Sequence, residues 1–527
     1  MATKRPNILF LMADQMAAPA LPIYGHKLVK APHLTALAEA GVVFENAYCN
    51  FPICAPSRFS MLSGRLPSRI GAFDNACEFP AAVPTVAHHL RAQGYRTCLS
   101  GKMHFVGPDQ LHGFEERLTT DIYPADFGWT PDWRRQELAR APDEVAYSWS
   151  HHMASVLEAG VCRRSLQIDF DDEVAFEAER KIYDLARETD ERPFFLLVSF
   201  THPHDPFTCL PEHWDRYDHD SIDMPAVPAI PVERLDPHSR RLHYLNSLHK
   251  HPVGEGALRN ARHAYYGMIS YVDDLVGRLL RALDRAGLRD DTVVLFTGDH
   301  GEMLGERGMW YKMTFFEWAA RVPLIVHAPQ RFAAQRVPAN VSLVDLFPTL
   351  LELAGDDREP VDPLDGSSLV PLLAGDGRSW PDTAASEYLG EGAAGPCVML
   401  KRGSHKYVHG KADPPQLYDL AADPLELDNL AGRPAAAKIE AGLRAETLRR
   451  WDLDEIEQRV IESQGRRLFV HDVLLTGRHA AWDYQPVRDA AHAYVRNVGV
   501  EEDVAKARAR LPRVGPTPPD TPRDRRH

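Results

Sequence analysis

Short apolar segments alternate with longer amphipathic segments through the first two-thirds of the chain, and this alternation constrains the fold more than any other feature. The apolar segments that we predict as strands are Ile8 to Ala13, Tyr95 to Ser100, Pro193 to Phe200, Thr292 to Thr297 and Pro323 to His327. The predicted helices are His33 to Ala40, Thr85 to Gln93, Asp171 to Glu188, Ala257 to Ala286 and Leu343 to Ala354. Such alternation is typical of an α/β fold with a large, mostly parallel sheet sandwiched by helices.

The pattern changes near Trp380, where the extended segments become shorter. Residues 397–400 and 406–409 flank Gly403 and predict an antiparallel hairpin, and residues 435–464 predict a helix. A chain of 527 residues is too long for one core. We therefore predict a large α/β domain over residues 1–378, a smaller α+β domain with an extension over 379–510, and a flexible tail over 511–527. The Pro-, His- and Asp-rich residues 205–251 predict a long loop.

Charge and cysteine content restrict which partners and which cellular compartment we expect for this protein. The net charge of -14 argues against nucleic acid or an anionic membrane as the main partner. The apolar run Asn7 to Met12 is too short to cross a bilayer and predicts a buried strand. The seven cysteines are scattered and odd in number, which is untypical of a disulfide framework. We expect a cytoplasmic protein.

Polar side chains follow four of the predicted strands at the point where each strand ends. They are Asp14 and Gln15, then Lys102 and His104, then His202 and His204, then Asp299 and His300. Ligands of open α/β sheets bind beyond the carboxyl ends of the strands. The sequence therefore predicts one polar site at this edge of the sheet.

Residues 54–58 read Cys-Ala-Pro-Ser-Arg at the start of a predicted helix that Gly64 ends. The spacing places Cys54 and Arg58 on one face of the helix. The helix N-terminus attracts an anion, and the guanidinium of Arg58 can hold two of its oxygens. This predicts a nucleophile beside a site for an oxyanion ester. The alternative interpretation is a small buried cysteine beside a surface arginine.

Asp14, Gln15, Asp299 and His300 supply two carboxylates, an amide oxygen and an imidazole. This mostly hard set suits Ca²⁺, Mg²⁺ or Mn²⁺ better than a thiolate-bound zinc, and Ca²⁺ is our first expectation. Taken alone, Asp14 and Gln15 fit a strand-end turn or a helix cap better than a metal site. The glycines that flank Asp299 and His300 allow consecutive ligands to be placed tightly, which favours the metal site.

These segments together resemble the type I, formylglycine-dependent sulfatases of the alkaline phosphatase superfamily, from Pro6 to about Leu430. The matching segments are residues 7–14, 54–58, 101–104, 203–206, 298–302, 417–420 and 423–424. The resemblance implies that Cys54 is oxidised to formylglycine by a formylglycine-generating enzyme, and that the aldehyde hydrate rather than a thiol attacks sulfur. It also implies metal ligation by Asp14, Gln15, Asp299, His300 and the modified residue 54. Many sulfatases carry aspartate at position 15 and asparagine or glutamine at position 300, so Gln15 and His300 depart from that pattern.

The resemblance and the charges together suggest roles for the remaining polar residues. Arg58, Lys102 and Lys312 would neutralise the nonbridging sulfate oxygens. His204, with Lys312 as a competing candidate, would protonate the leaving alcohol, and His104 would remove the remaining hydroxyl proton. For each histidine the alternative is a hydrogen-bonded core residue.

Residues 71–80, 102–132 and 451–486 resemble choline sulfatases more than arylsulfatases. This resemblance implies hydrolysis of choline O-sulfate to choline and inorganic sulfate by a homo-oligomer. A trimethylammonium group has no N–H to donate, so its recognition needs aromatic faces and a carboxylate. The candidates are Trp129 as the aromatic residue, Glu387 or Glu391 as the carboxylate, and His151 and Asn75 at the edge of the pocket.

Two alternatives remain open. A phosphonate monoester or phosphodiester hydrolase is the enzymatic alternative, because related enzymes share the formylglycine, an Asp-Gln pair and an Asp-His pair. A non-catalytic anion-binding protein is the other, and it would apply if Cys54 stayed a thiol.

Overall fold

The computed structural model describes residues 5–134, 153–355, 358–488 and 490–496, together with positions 504, 506 and 509–511. Its strands are β1 (Asn7–Ala13), β2 (Val42–Tyr48), β3 (Arg96–Gly101), β4 (Glu116–Arg117), β5 (Gly160–Val161), β6 (Phe194–Phe200), β7 (Thr208–Cys209), β8 (Thr292–Gly298), β9 (Arg321–Val322), β10 (Leu324–His327), β11 (Gln335–Ser342), β12 (Thr383–Tyr388), β13 (Cys397–Arg402), β14 (His405–Gly410) and β15 (Gln416–Asp419). Its α-helices are α1 (Pro32–Glu39), α2 (Cys54–Ser63), α3 (Pro67–Ile70), α4 (Val86–Ala92), α5 (Ala154–Leu157), α6 (Leu166–Arg187), α7 (Pro211–Trp214), α8 (Pro237–Leu245), α9 (Glu255–Ala286), α10 (Glu317–Ala320), α11 (Leu346–Leu353), α12 (Val370–Leu373), α13 (Ala437–Arg450) and α14 (Leu453–Leu474).

The main sheet has the order β11-β2-β10-β8-β1-β6-β3-β4, and β9 also pairs with β2. Strand β1 pairs in parallel with both β6 and β8, and β3 pairs in parallel with β6 and β4. Strand β10 is antiparallel to both β8 and β2. The predicted fold class, a large and mostly parallel sheet, is confirmed.

Helices cover both faces of this sheet, which explains why its central strands β1, β6 and β8 are largely apolar. Alternate side chains of β1 enter different cores: Ile8 and Phe10 pack with α2, α4 and α11, whereas Leu9 and Leu11 pack with α1, α6 and α9. None of these four side chains is more than 1% exposed. The carboxyl ends of the strands are therefore held rigidly between two helical layers.

The five predicted strands correspond to β1, β3, β6, β8 and β10, and the predicted helices correspond to α1, α4, α6, α9 and α11. Helix α6 begins earlier than predicted because Ser165 accepts a hydrogen bond from the Ile168 amide, at 3.2 Å, and so caps its N-terminus. The prediction of one long loop over residues 205–251 is wrong, because this segment contains β7, α7 and α8. Asp236 caps α8 by accepting a 3.0 Å hydrogen bond from the Ser239 amide.

A second, antiparallel sheet with the order β12-β13-β14-β15 follows the main sheet in sequence. The predicted hairpin is confirmed as β13 and β14. The helical segment predicted over residues 435–464 forms two helices, because α13 ends just before Trp451 and the carboxylate of Asp452 caps α14. The small sheet is tied to the larger unit by Lys406, whose ammonium lies 2.6 Å from Glu317 and 2.7 Å from Glu426.

All seven cysteines lie in the described residues, and none of them is paired. Six are buried, as predicted for reduced core residues, and only Cys162 is partly exposed. Within the described part of the chain, no helix combines the length and the apolar character needed to cross a bilayer.

Candidate active site

The site forms where β1 and β8 end side by side. Ala13 and Gly298 are paired in the parallel register, so the next residues, Asp14 and Asp299, leave the sheet together. The amide of Asp299 donates to the carbonyl of Ala13, which joins the two strand ends. Helix α2 begins at Cys54 beside them, and all ten of its residues are buried.

Asp14, Cys54, Asp299 and His300 each offer a ligand atom, and these atoms all lie within 4.8 Å of one another. The sulfur of Cys54 is 3.2 Å from Nε2 of His300 and 3.7 Å from Oδ1 of Asp14. All four side chains are at most 1% exposed. The structure therefore brings together the two acidic strand ends and residue 54, as the sequence predicts.

The donor set fits a divalent cation. The Nδ1–H of His300 donates to the carbonyl of Gly301 at 3.0 Å, which fixes the tautomer and leaves the Nε2 lone pair facing Cys54 and the carboxylates. Burial lowers the pKa of His300 to about 4, so the imidazole is a neutral ligand. Although burial alone would raise the pKa of Asp14, Lys102 and other nearby cations hold it well below its usual range. A neutral imidazole beside a buried carboxylate suits Ca²⁺, Mg²⁺ or Mn²⁺.

Gln15 lies at the edge of this cluster with a left-handed backbone, φ 62°. Its backbone amide donates to Oδ1 of Asp299 at 2.9 Å. Its side-chain nitrogen donates to Glu302, and its side-chain oxygen accepts a hydrogen bond from the ammonium of Lys312. The side-chain oxygen of Gln15, which the sequence predicts as a metal ligand, thus contacts the ammonium of Lys312.

Arg58 and Lys102 place positive charge directly against the carboxylates. Nε of Arg58 donates to Oδ2 of Asp299 at 2.8 Å, and its Nη1 donates to Oγ of Ser199 at 2.8 Å. The ammonium of Lys102 bonds to Asp14 and lies 3.7 Å from the sulfur of Cys54. Burial, reinforced by Asp14, raises the pKa of the Cys54 thiol to about 11, so an unmodified thiol is neutral at neutral pH.

Lys312 and His204 form a buried, hydrogen-bonded pair. Nδ1 of His204 donates to the backbone carbonyl of Asp205 at 2.8 Å, so its Nε2 accepts from the Lys312 ammonium at 2.7 Å. Burial, and then the charge of Lys312, lower the pKa of His204 well below its ordinary value. By contrast, Nδ1 of His202 lies 2.6 Å from Asp171, and this imidazole is a hydrogen-bonded core residue.

His104 is buried, and neither of its ring nitrogens has a hydrogen-bond partner among the described residues. Burial, and then the charge of Lys102, lower its pKa to about 3. Asp121 holds its backbone in the left-handed region, φ 57°, by accepting the His104 amide at 2.8 Å. The neutral ring is therefore fixed in position with both nitrogens unused.

An aromatic group lies beside these residues. The ring of Trp129 meets His104 edge to face at 5.6 Å and Tyr123 at 5.0 Å. The ammonium of Lys102 lies 4.2 Å above the ring of Tyr123. Trp129, the predicted aromatic candidate, thus contacts Tyr123, and the ring of Tyr123 in turn lies against the ammonium of Lys102.

The two candidate carboxylates have different surroundings. Both oxygens of Glu387 are occupied, because Ser68 donates to them from its backbone and hydroxyl, each at 2.7 Å, and Nε1 of Trp451 donates at 2.6 Å. Glu391 is 7% exposed, and among the described residues only its own backbone N–H bonds its carboxylate. Burial, together with the charge of Asp74, raises the pKa of Glu391 to about 7.

The remaining candidates are Asn75 and His151. The side-chain oxygen of Asn75 accepts the amide of Ala55 at 2.9 Å, which places Asn75 at the N-terminus of α2 next to Cys54. His151 lies outside the described residues.

Sequence reasoning missed three partners of the site: Asp121, Tyr123 and Glu302. Glu302 accepts hydrogen bonds from the amides of Leu304 and Tyr311, at 2.8 and 2.7 Å, besides the bond from Gln15. Its place two residues after His300 was a usable signal. Asp121 and Tyr123 lie in a segment without regular structure, where periodicity carries no information.

The chain is similar to known proteins over almost its whole length. Residues 6–356 match the family described as sulfatase, residues 305–452 the C-terminal family of N-sulphoglucosamine sulphohydrolase, and residues 458–511 the family described as choline sulfatase enzyme C terminal. The chain is 47% identical over 504 residues to the choline-sulfatase of Rhizobium meliloti strain 1021, covering 94% of this chain and 97% of that protein. It is 28% identical over 457 residues to arylsulfatase K of Xenopus laevis, covering 81% of this chain and 80% of that protein. The crystal structure of the phosphonate monoester hydrolase of Agrobacterium radiobacter matches with a TM-score of 0.65 and 27% identity, covering 84% of this chain and 95% of that one.

Proposed function

The chain belongs to the sulfatase family, and from this membership we propose that it is a choline-sulfatase, hydrolysing choline O-sulfate to choline and inorganic sulfate. The observation that carries the proposal is the 47% identity to a choline-sulfatase, which extends over 94% of the chain and so includes the C-terminal extension. The substrate carries a negative sulfate and a positive trimethylammonium group. The protein must therefore offer cations at one end of the pocket and an aromatic or anionic group at the other.

For the sulfate end, we propose that Cys54 is oxidised to formylglycine by a formylglycine-generating enzyme during maturation. The motif at residues 54–58 supports this, as does the burial of Cys54 beside Lys102 and the acidic strand ends. Once formed, the formylglycine hydrate supplies the oxygen nucleophile that attacks sulfur. Lys102 and Lys312 neutralise the nonbridging oxygens, while Arg58 holds Asp299 in place through its 2.8 Å hydrogen bond.

We propose Asp14, Gln15, Asp299 and His300 as the protein ligands of a divalent cation, with Ca²⁺ preferred over Mn²⁺ and Mg²⁺. The hard oxygen donors and the fixed tautomer of His300 support this assignment. When bound, the cation supplies positive charge that stabilises the developing negative charge on the sulfate and activates the nucleophile.

Three residues, Lys312, His204 and His104, are suited to move protons. Lys312 holds a proton against Nε2 of His204 at 2.7 Å, and this pair can protonate the leaving alcohol. His104 is neutral, with both ring nitrogens free among the described residues, and can accept the proton whose removal releases sulfate. We propose these roles for both histidines.

For the choline end, we propose Trp129 as the aromatic face and Glu391 as the carboxylate, with Asn75 and His151 at the edge. Trp129 lies 5.6 Å from His104, and the carboxylate of Glu391 is not used by another described residue, whereas Glu387 is fully hydrogen-bonded. A cation–π contact contributes about 0.5–2 kcal/mol. Because its carboxylate is not used by another described residue, we choose Glu391 over Glu387.

We also propose a cytoplasmic homo-oligomer. The seven unpaired cysteines are consistent with a reducing compartment. Helix α14 leaves Phe469 and Val473 exposed by 70% and 51%, and Leu475 just beyond it by 58%, which is a suitable surface for a second copy.

The experiment is a substrate panel with metal analysis and intact mass on one sample. Choline sulfate, 4-nitrophenyl sulfate and bis(4-nitrophenyl) phosphate are compared by kcat/KM, with Cys54→Ala as the inactive control. We expect choline sulfate to be preferred and the mass to be about 18 Da below that of the unmodified chain. Preference for the phosphodiester would favour the phosphonate monoester or phosphodiester hydrolase, the alternative supported by the likeness at TM-score 0.65. An unmodified and inactive chain would favour an anion-binding protein.

A further inference from the structure

Helix α14 carries one buried stripe whose character changes along its length. The stripe begins with three apolar residues and continues with two polar ones; its members are Leu453, Ile456, Val460, Gln464 and Arg467. Gln464 is 0% exposed and Arg467 is 6% exposed. Burying an amide and a guanidinium costs free energy unless both are hydrogen-bonded, so their partners indicate what this end of the helix does.

Gln464 holds the segment that follows Trp129. Its side-chain oxygen accepts the backbone N–H of Trp133 at 2.8 Å. The indole N–H of Trp133 in turn donates to the carbonyl of Gly390 at 3.1 Å, directly before Glu391. The side-chain oxygen of Gln464 is thus linked, through the backbone and the indole of Trp133, to the turn that carries Glu391, the proposed choline carboxylate.

Arg467 holds the same segment from its other side. Its two terminal nitrogens bind the two carboxylate oxygens of Asp74 as a fork, each at 2.7 Å, and Nη1 also donates to the hydroxyl of Thr130 at 3.1 Å. Thr130 directly follows Trp129, and Asp74 directly precedes Asn75. The charge of Asp74, the residue held by this fork, also contributes to the raised pKa of Glu391.

We propose that Gln464 and Arg467 are positioning residues that set recognition of the cationic alcohol, by holding Trp129 and Glu391 at a fixed separation. The inference rests on the proposed choline-sulfatase activity. Neither residue contacts the four residues of the metal cluster among the described contacts, so their effect acts through Thr130 and Trp133. A shift of about 1 Å in a positioning group can cost about 100-fold in rate.

The test uses paired variants of the full-length protein. Gln464→Met removes the acceptor at similar volume, whereas Gln464→Glu retains it, and the side-chain nitrogen of Gln464 has no partner among the described residues to lose. Arg467→Lys keeps the charge opposite Asp74 but not the fork. Arg466→Met is the matched control, because Arg466 is on the same helix with a 71% exposed side chain.

Each variant is assayed with choline sulfate and 4-nitrophenyl sulfate, alongside its Tm. We expect Gln464→Met and Arg467→Lys to lower kcat/KM for choline sulfate about 10- to 100-fold, mainly through KM, with a much smaller change for the aryl ester. Gln464→Glu should recover most of the loss, and Arg466→Met should match the wild type. If Gln464→Met does not fold, Arg467→Lys carries the same comparison.

Equal losses on both esters, or Gln464→Glu as poor as Gln464→Met, would overturn the positioning role while leaving the activity itself intact. A wild-type enzyme without activity on choline sulfate would instead overturn the proposed function, and this inference with it. The wild-type arm therefore separates the two failures.

Discussion

Replacing Glu391 by glutamine tests the cationic end of the pocket most directly. The substitution keeps the shape of a side chain that is 7% exposed and removes only its charge. With an ammonium about 5 Å from the carboxylate and an effective dielectric constant of about 20, the lost attraction is about 3 kcal/mol. This corresponds to roughly a 100-fold fall in kcat/KM for choline sulfate, whereas the leaving group of an aryl sulfate has no positive charge for Glu391 to attract.

The pH dependence gives a second, independent readout. Burial raises the pKa of Glu391 to about 7, and only the ionised carboxylate attracts the ammonium. Between pH 8 and pH 6 the ionised fraction falls about tenfold, so kcat/KM for choline sulfate relative to 4-nitrophenyl sulfate should fall by a similar factor. In Glu391→Gln this ratio should be flat across the same range.

Stability should move in the opposite direction to activity. A carboxyl group whose pKa is raised on folding favours the folded state below its unfolded pKa, and this contribution is lost as the pH rises to about 7. Glu391→Gln should therefore increase the free energy of unfolding at pH 8 by up to about 3 kcal/mol, with no gain at pH 4. Urea unfolding at the two pH values measures this difference.

Glu387→Gln is the matched control, because it makes the same chemical change in a carboxylate that is held by Ser68 and Trp451. We expect it to reduce stability without changing the preference between the two esters. If Glu391→Gln lowered kcat/KM equally for both esters, or left the pH dependence of their ratio unchanged, Glu391 would not contact the ammonium group.

Two further predictions concern the rest of the site. Trp129→Ala should weaken binding of choline sulfate by about 0.5–2 kcal/mol, which raises its KM by up to roughly 30-fold, and should leave KM for 4-nitrophenyl sulfate nearly unchanged. Equal effects on both esters would show that Trp129 is not part of the choline pocket. Incubation with a chelator should abolish turnover and lower Tm, because Asp14 and Asp299 then lie together without a cation, and Ca²⁺ should restore both more fully than Mg²⁺. Unchanged activity and Tm in metal-free protein would argue against a cation at these residues.

The sequence predicts the strands whose environment is uniform. Strands β1, β6 and β8 are buried throughout, so their apolar runs are unbroken and the polar residues after them stand out. Strand β2 was not predicted, because Glu45 and Asn46 interrupt its apolar pattern where its side chains are only half-buried. It is held in place by β10 and β11, which are distant in sequence.

The candidate site likewise has some residues that a local sequence pattern predicts and others that no local pattern predicts. The grouping of Asp14, Cys54, Asp299 and His300 was predictable because these residues lie at strand ends or at the start of a helix. The contact of Gln464 with Trp133 joins segments far apart in sequence, whereas Asp121 and Tyr123 lie in a segment without regular structure, so no local pattern carries the information for these contacts. Glu387 and Glu391 look alike in sequence, and only the three donors around Glu387 separate them.

The contact of Lys406 with Glu317 and Glu426 has a consequence for how the gene can be divided. Lys406 is 0% exposed and comes from the small sheet, whereas Glu317 precedes that sheet in sequence. A truncated chain that ends before residue 379 would keep Arg321, at 3.5 Å from the buried Glu317 carboxylate, but would lose Lys406, at 2.6 Å. Asn50, which lies four residues before α2 begins, would also lose the Ala385 carbonyl to which it donates at 2.8 Å. We therefore expect residues 1–378 to be unstable alone and the two parts of the chain to melt as one cooperative unit.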